Sequence, residues 1–408
     1  MKKNLQQNSN NKSHSLQAGL DQLMNEKKYQ EMLIGNVALL CHNASISRNI
    51  EHGSFLLQKL LGKRLTKIFG PQHGFMCDVQ DNMIETKHSL HPYLKIPVYS
   101  LYSETRIPTD EMLSDIQTLV IDLQEIGCRD YTYLYTMTLC LEKCAEKNIK
   151  VVILDRPNPI NGVTLEGNIL DMNFASFIGR HPIPVRHGMT MGELALMHQK
   201  HWTNKKVELD VIPLLNWNRD TYLDEYDYPF VMPSPNIPVV ESTVTFPATV
   251  LYEGTNLSEG RGTCRPLEGL GHPKIEPYAF IEEILKPRMK KENLEGFVLR
   301  PHFFQPTFNK WAQTTIGGIH IHVTDRNQFK PWRVGVILLQ EVFHYLKNDF
   351  AWKNPPYEYE YHKLPIDMIC GTDKIRLMIE KNQSTELLNQ MEKELSQFAA
   401  QREEFLLY

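Results

Sequence analysis

With 408 residues, 42% hydrophobic and 23% charged, the chain has the balance of an ordinary globular protein large enough for two domains. A formal net charge of −4 offers no basic excess for holding nucleic-acid phosphates, and no apolar run is long enough to span a membrane. Seven cysteines, an odd number without a CxxC pair, fit free thiols in a reducing, cytoplasmic compartment better than a disulfide framework.

Residues 1–15 are polar, lack the apolar core of a signal peptide and read as a disordered tail. Beyond them, strand-like runs at Asn36–Cys41, Leu65–Phe69, Pro97–Leu101, Thr118–Gln124 and Lys150–Asp155 alternate with longer amphipathic stretches. That rhythm predicts an α/β domain, a parallel sheet wrapped by helices, over residues 16–232. Tyr131–Asn148 reads as a helix, because Leu134, Met137, Leu141 and Cys144 recur at helical steps. Cys140 and Cys144 share a face there and read as core, since no His or second Cys pair accompanies them. Thr190 and Glu193 form an S/T-x-x-E capping box that opens a second helix.

From about residue 210 the rhythm breaks. The Pro-rich passage Tyr228–Pro266 is too turn-rich for a single element and reads as a linker or functional loop. Thr314–Asp325 then reads as a strand, Pro331–Leu346 as a helix and the chain from Ser384 as a final helix. Residues 233–408 therefore read as a smaller α+β domain.

In a parallel sheet, ligands bind beyond the carboxyl ends of the strands. His42 and Asn43 follow the first run, Gln72 and His73 the second. Asp122, Gln124, Glu125 and Arg129 close the run at Thr118, and Asp155, Arg156 and Asn158 close the next. Polar side chains at successive strand ends point to a site. No G-x-G-x-x-G follows the first strand and no G-x-x-x-x-G-K-[ST] occurs, so no nucleotide cofactor is expected. H-E-x-x-H and G-x-S-x-G are missing as well, and His320 and His322, on one strand face, have no third ligand nearby, so no metal is expected.

The stretches FGPQHGF, PVYSLY, DLQEIGCRDYTYLYT, LDRPNP, EGNIL, PIPVRHGMTMGELA, PSPNIPVVEST, PATVLYEGTNLSEGRGT and FFQPTF, in this order, resemble the NamZ family of bacterial exo-β-N-acetylmuramidases, glycoside hydrolase family 171, formerly a domain of unknown function. The resemblance runs from about Leu16 to Tyr408. It implies a Rossmann-like N-terminal domain, a smaller C-terminal domain and an active site in the cleft between them. It further implies removal of terminal N-acetylmuramic acid from the non-reducing end of peptidoglycan fragments. Gln72 stands where the resemblance implies the catalytic glutamic acid.

Glycoside hydrolysis needs a proton for the leaving oxygen and a group that stabilises the oxocarbenium-like centre. An amide supplies no proton. The replacement acid is sought in the same pocket: Asp78, Asp81 and Glu85 follow closely along the chain, Glu85 the preferred one, His73 is adjacent, and Asp122 is an orienting carboxylate. In a 2-acetamido sugar the substrate's own acetamide can act as nucleophile, which reduces what the protein must supply. Arg129 or Arg261 would grip the lactyl carboxylate of muramic acid, and Tyr131 would pack on the sugar. The loop Glu253–Thr263, with Glu253, Asn256, Glu259 and Arg261 among three glycines, would line the cleft. The ligand expected is a small amino sugar or muropeptide; nothing in the sequence sets an oligomeric state. A non-hydrolytic amino-sugar-binding protein is the alternative that Gln72 raises, and other chemistry on His73 and Asp122 is a third reading.

Overall fold

The computed structural model describes residues 15–81 and 83–408; the predicted tail, apart from Ser15, lies outside the described residues. The first unit contains β1 Val37–Cys41, β2 Leu65–Gly70, β3 Ser89–Leu90, β4 Pro97–Ser100, β5 Thr118–Asp122, β6 Lys150–Leu154, β7 Glu166–Ile169, β8 Pro184–Arg186 and β9 Leu209–Ile212. Seven of these form one sheet in the order β3-β4-β2-β1-β5-β6-β9, parallel except at the β3 edge. Every residue of β1 and β5 is buried, as continuous apolar runs are when helices cover both faces of a parallel sheet. All five expected strands form, with ends shifted by no more than two residues. The edge strands β3 and β9 escape the sequence pattern because one has only two residues and the other is mostly half-buried.

The predicted helix at Tyr131–Asn148 forms as Tyr133–Lys147 and ends on Asn148 in the left-handed conformation. Cys140 and Cys144 are fully buried core. All seven cysteines are free, six buried and Cys264 exposed. Thr190 Oγ1 accepts the Glu193 N–H at 3.3 Å while Glu193 Oε2 accepts the Thr190 N–H at 3.0 Å, the expected box at the start of the helix Met191–His201.

In the second unit, β10 Gly269–His272, β11 Phe297–Phe304 and β12 Ile316–Val323 form an antiparallel sheet in the order β10-β12-β11. The passage Tyr228–Pro266 is not only linker. Val240–Thr249 is a helix despite Pro247, and every residue in it except Glu241 is buried. A helix buried all round has no amphipathic period, and its proline and threonines mimic a loop. It lies against the helix Pro331–Leu346 so closely that a Cβ on Gly335 would stand 2.4 Å from the Ala248 carbonyl oxygen. The final helix, Ser384–Arg402, crosses back to pack on β7. One apolar core therefore runs through both units, from Leu119 and Leu134 to Phe280 and Val336, and fixes the cleft walls against each other.

Candidate active site

β2 ends at Gly70 and the chain doubles back at once. A Cβ at position 70 would stand 2.7 Å from the Phe75 backbone nitrogen, so the reversal needs glycine there. His73 and Gly74 then take φ +67° and +80°. This turn delivers Gln72 into a cleft of about 540 Å³, open solvent at its mouth included. Gln72, His73, Asp130, Tyr131 and Thr132 come to it from the first unit. Glu253, Arg261, Tyr357 and Glu358 face them from the second, with Ile178, Phe246, Val250 and Leu267 as apolar wall.

Both ends of the Gln72 amide are occupied. Its Oε1 accepts the Thr132 hydroxyl at 2.6 Å, and its Nε2 donates to Glu358 Oε1 at 3.0 Å. The Tyr102 hydroxyl donates to the other Glu358 oxygen at 2.7 Å. Burial lifts the Glu358 carboxyl above the usual glutamate range, although the bonds from Tyr102 and Gln72 oppose the rise. Burial also pushes Asp130 up to about 7, against the pull of the Arg129 guanidinium. Glu253 has the opposite fate. Its burial would raise it, but Arg261 and the Tyr357 hydroxyl, which donates at 2.7 Å, hold it below the usual range. Arg261 also donates through Nε to Glu259 at 3.0 Å, and Lys310 donates to the same carboxylate at 2.9 Å. Arg261 Nη2 is held by Glu253, and Nη1 has no protein partner among the described residues.

Five of the residues expected at the site, Gln72, His73, Tyr131, Glu253 and Arg261, therefore do meet in one cleft. His73 is no acid. Burial lowers it to about 4, and its Nδ1 donates to the Val79 carbonyl at 2.8 Å, leaving a neutral ring with a bare Nε2 acceptor.

The remaining expectations are corrected by packing. Asp122 is fully buried and gripped by Arg156 at 2.5 and 3.0 Å, so it orients no substrate and the third reading loses its carboxylate. Arg129 is fully buried and donates to the carbonyls of Asn168, Ile183 and Ile369. His42 is a strut: its Nδ1 donates to Pro233 O at 3.1 Å, and its Nε2 accepts the Gln124 N–H at 3.0 Å. The Gln124 side chain donates to the Glu125 and Pro157 carbonyls, and Asn43 is absent from the cleft lining. Asn256 bonds the backbone of Asp349 and Ala351, while Glu259 stands behind Arg261. Glu85 is exposed and accepts the Tyr359 hydroxyl at 2.9 Å, outside the cleft lining. His320 and His322 bond Glu268 and Arg300, and no group of three or more metal-ligating side chains is placed to hold an ion among the described residues.

Sequence reading missed the cleft groups Glu358, Asp130, Thr132 and Tyr357, and Tyr102, which bonds Glu358. Tyr102 ends the PVYSLY stretch, and Asp130 and Thr132 sit inside DLQEIGCRDYTYLYT, so three of them lie in motifs already singled out. For Glu358 the only local sign is PPYEYEY, alternating tyrosine and glutamate after two prolines.

Asp130 has a pH signature. In the unfolded chain it ionises near the ordinary aspartate value, and in the fold only near 7, so between those values the folded state binds more protons. Its contribution to stability is therefore lost as pH rises toward 7. Asp130→Asn removes that loss, so the stability of the variant relative to the wild type is expected to increase from pH 5 to pH 8 in urea titrations. A difference that stays flat with pH would mean that Asp130 is ionised in the fold.

Fold and cleft together define a class: a two-unit α/β protein whose cleft sets carboxyls raised by burial against one that an arginine holds down, the kind of contrast glycoside hydrolysis uses. Residues 37–241 match the N-terminal model, and residues 244–408 the C-terminal model, of the exo-beta-N-acetylmuramidase NamZ family, and the chain belongs to that family. It is 37% identical over 403 residues to the Bacillus subtilis (strain 168) protein peptidoglycan beta-N-acetylmuramidase NamZ, covering 98% of this chain and 93% of that one. Two DUF1343 family proteins from Bacteroides fragilis share the fold. One superposes with TM-score 0.85 at 27% identity, covering 96% of this chain and 99% of its own. The other gives 0.73 at 28% identity, covering 97% and 99%.

Proposed function

We propose that the protein is a glycoside hydrolase that removes terminal N-acetylmuramic acid from peptidoglycan fragments. The observation that carries this reading is the family match across both units, because the cleft is built from both. The chemistry on the walls agrees with it. Arg261 Nη1, held beside the ionised Glu253, is the donor for the lactyl carboxylate of the sugar. Asp130 and the bare Nε2 of His73 orient the acetamide and ring hydroxyls, and the apolar wall with Tyr131 takes the carbon face of the ring. The substrate is a small muropeptide or disaccharide and the setting is recycling of cell-wall fragments in the cytoplasm, a placement supported by seven free thiols. No helix among the described residues is long and apolar enough to cross a membrane.

Purified protein is expected to release the aglycone from a chromogenic β-N-acetylmuramic acid glycoside and to act far more slowly on the N-acetylglucosamine analogue, which lacks the lactyl group. Saturable binding of the sugar in calorimetry without any turnover would instead establish the non-hydrolytic reading.

A further inference from the structure

We propose that Glu358 is the proton donor to the leaving oxygen and that Gln72 is the positioning residue that aims it. This rests on the glycosidase reading above. Gln72 occupies the place of the implied acid but cannot protonate anything, and its Oε1 is committed to Thr132. Its NH₂ end donates one hydrogen bond further, to Glu358 Oε1, 3.0 Å away and on the opposite wall of the same cleft. The acid has thus moved by the length of one hydrogen bond, from the first unit to the second. Because the Gln72 NH₂ is a donor, a proton on Glu358 Oε1 cannot be passed back to it and is presented to the cleft.

The surroundings keep that proton available. Glu358 is 4% exposed, and the negative charge of Glu253 adds to the effect of burial. Against them act the bonds from Tyr102 and Gln72 and the Arg106 guanidinium, which is stacked between the Tyr102 and Tyr359 rings at 4.2 and 3.8 Å. The balance lies above the ordinary glutamate range. Glu253, paired with Arg261, is ionised and cannot take this role. In the step itself the bond from the anomeric carbon to the glycosidic oxygen breaks, the electron pair stays on that oxygen and the Glu358 proton joins it. The water that later adds at the anomeric carbon returns a proton to the Glu358 carboxylate, which restores the acid.

The test compares two substrates with the same muramic acid and different leaving groups: a nitrophenyl glycoside, which departs without protonation, and a natural disaccharide, which does not. Glu358→Gln keeps the side-chain volume and an acceptor for Tyr102. It is expected to lower kcat on the disaccharide by ~10²–10⁴-fold, the usual range for general acid catalysis, with KM nearly unchanged. On the nitrophenyl glycoside the loss should stay below about tenfold, and the alkaline limb of the pH profile should vanish. The exchanged pair, Gln72→Glu with Glu358→Gln, puts the acid back on the first unit and should recover part of the disaccharide activity. Equal losses on both substrates, or no loss on either, would overturn the assignment. Absence of turnover by the wild type on both substrates would refute the glycosidase reading itself, a different failure.

Discussion

Arg156→Met is expected to lower the unfolding free energy by about 3–5 kcal/mol, the usual cost of stranding one member of a buried ion pair. Arg156 is 2% exposed and Asp122 fully buried, and the guanidinium holds both carboxylate oxygens of Asp122 and also the Ile46 carbonyl at 2.8 Å. Methionine fills much of the arginine volume but offers no donor, so the carboxylate and the carbonyl are left buried without their partner. Urea unfolding should show the midpoint falling with the slope unchanged. The turnover per folded molecule should stay within a few-fold of the wild type, because neither residue faces the cleft. A variant of native stability with turnover abolished would bring Asp122 back into the chemistry.

Arg261→Ala is expected to reduce kcat/KM by roughly 30- to 1,000-fold, equivalent to about 2–4 kcal/mol, the range found when one member of a buried hydrogen-bonded charge pair is truncated. Its guanidinium neutralises Glu253 and Glu259 at once and, in the proposed reading, offers Nη1 to the substrate. Without it Glu253 and Glu259 lose the cation they share, Lys310 stays on Glu259, and Glu253 loses the charge that holds its carboxyl down. Lysine is expected to rescue little, because a point charge cannot bridge two carboxylates and still present a third donor. The diagnostic is selectivity. If Arg261 reads the lactyl group, the preference for muramic acid over glucosamine glycosides should collapse in Arg261→Ala along with the rate. A preserved preference at a lower rate would move recognition of the carboxylate elsewhere in the cleft.

The Gln72 loop shows how far a local pattern reaches. Gly-Pro after an apolar strand, then an amide and an imidazole between glycines, marks a displayed turn, and Gln72 does enter the cleft. The same strand-end reasoning failed at Asp122, Arg129 and His42. All are polar groups at sheet ends, but each is fully buried, so Asp122 is taken by Arg156 while Arg129 and His42 donate to backbone carbonyls. Burial of a strand end is not written in the strand. Glu85 fails for the converse reason: closeness along the chain to Gln72 left it exposed at Tyr359, while the carboxyl that meets Gln72 is 286 residues away.

By itself the sequence determined the parallel sheet, the helices at Tyr133–Lys147, Met191–His201 and Pro331–Leu346, and the family, because apolar period, capping boxes and ordered motifs are properties of short segments. The tertiary structure alone decided that Val240–Thr249 is a buried helix and that Asp122 belongs to Arg156. It alone set Glu358 rather than Glu85 against Gln72 and split the cleft carboxyls into those that burial raises and one that Arg261 holds down. The reason is physical: a carboxyl's protonation state depends on how much water and which charges surround it, and those surroundings are assembled from segments hundreds of residues apart only when both units share one core.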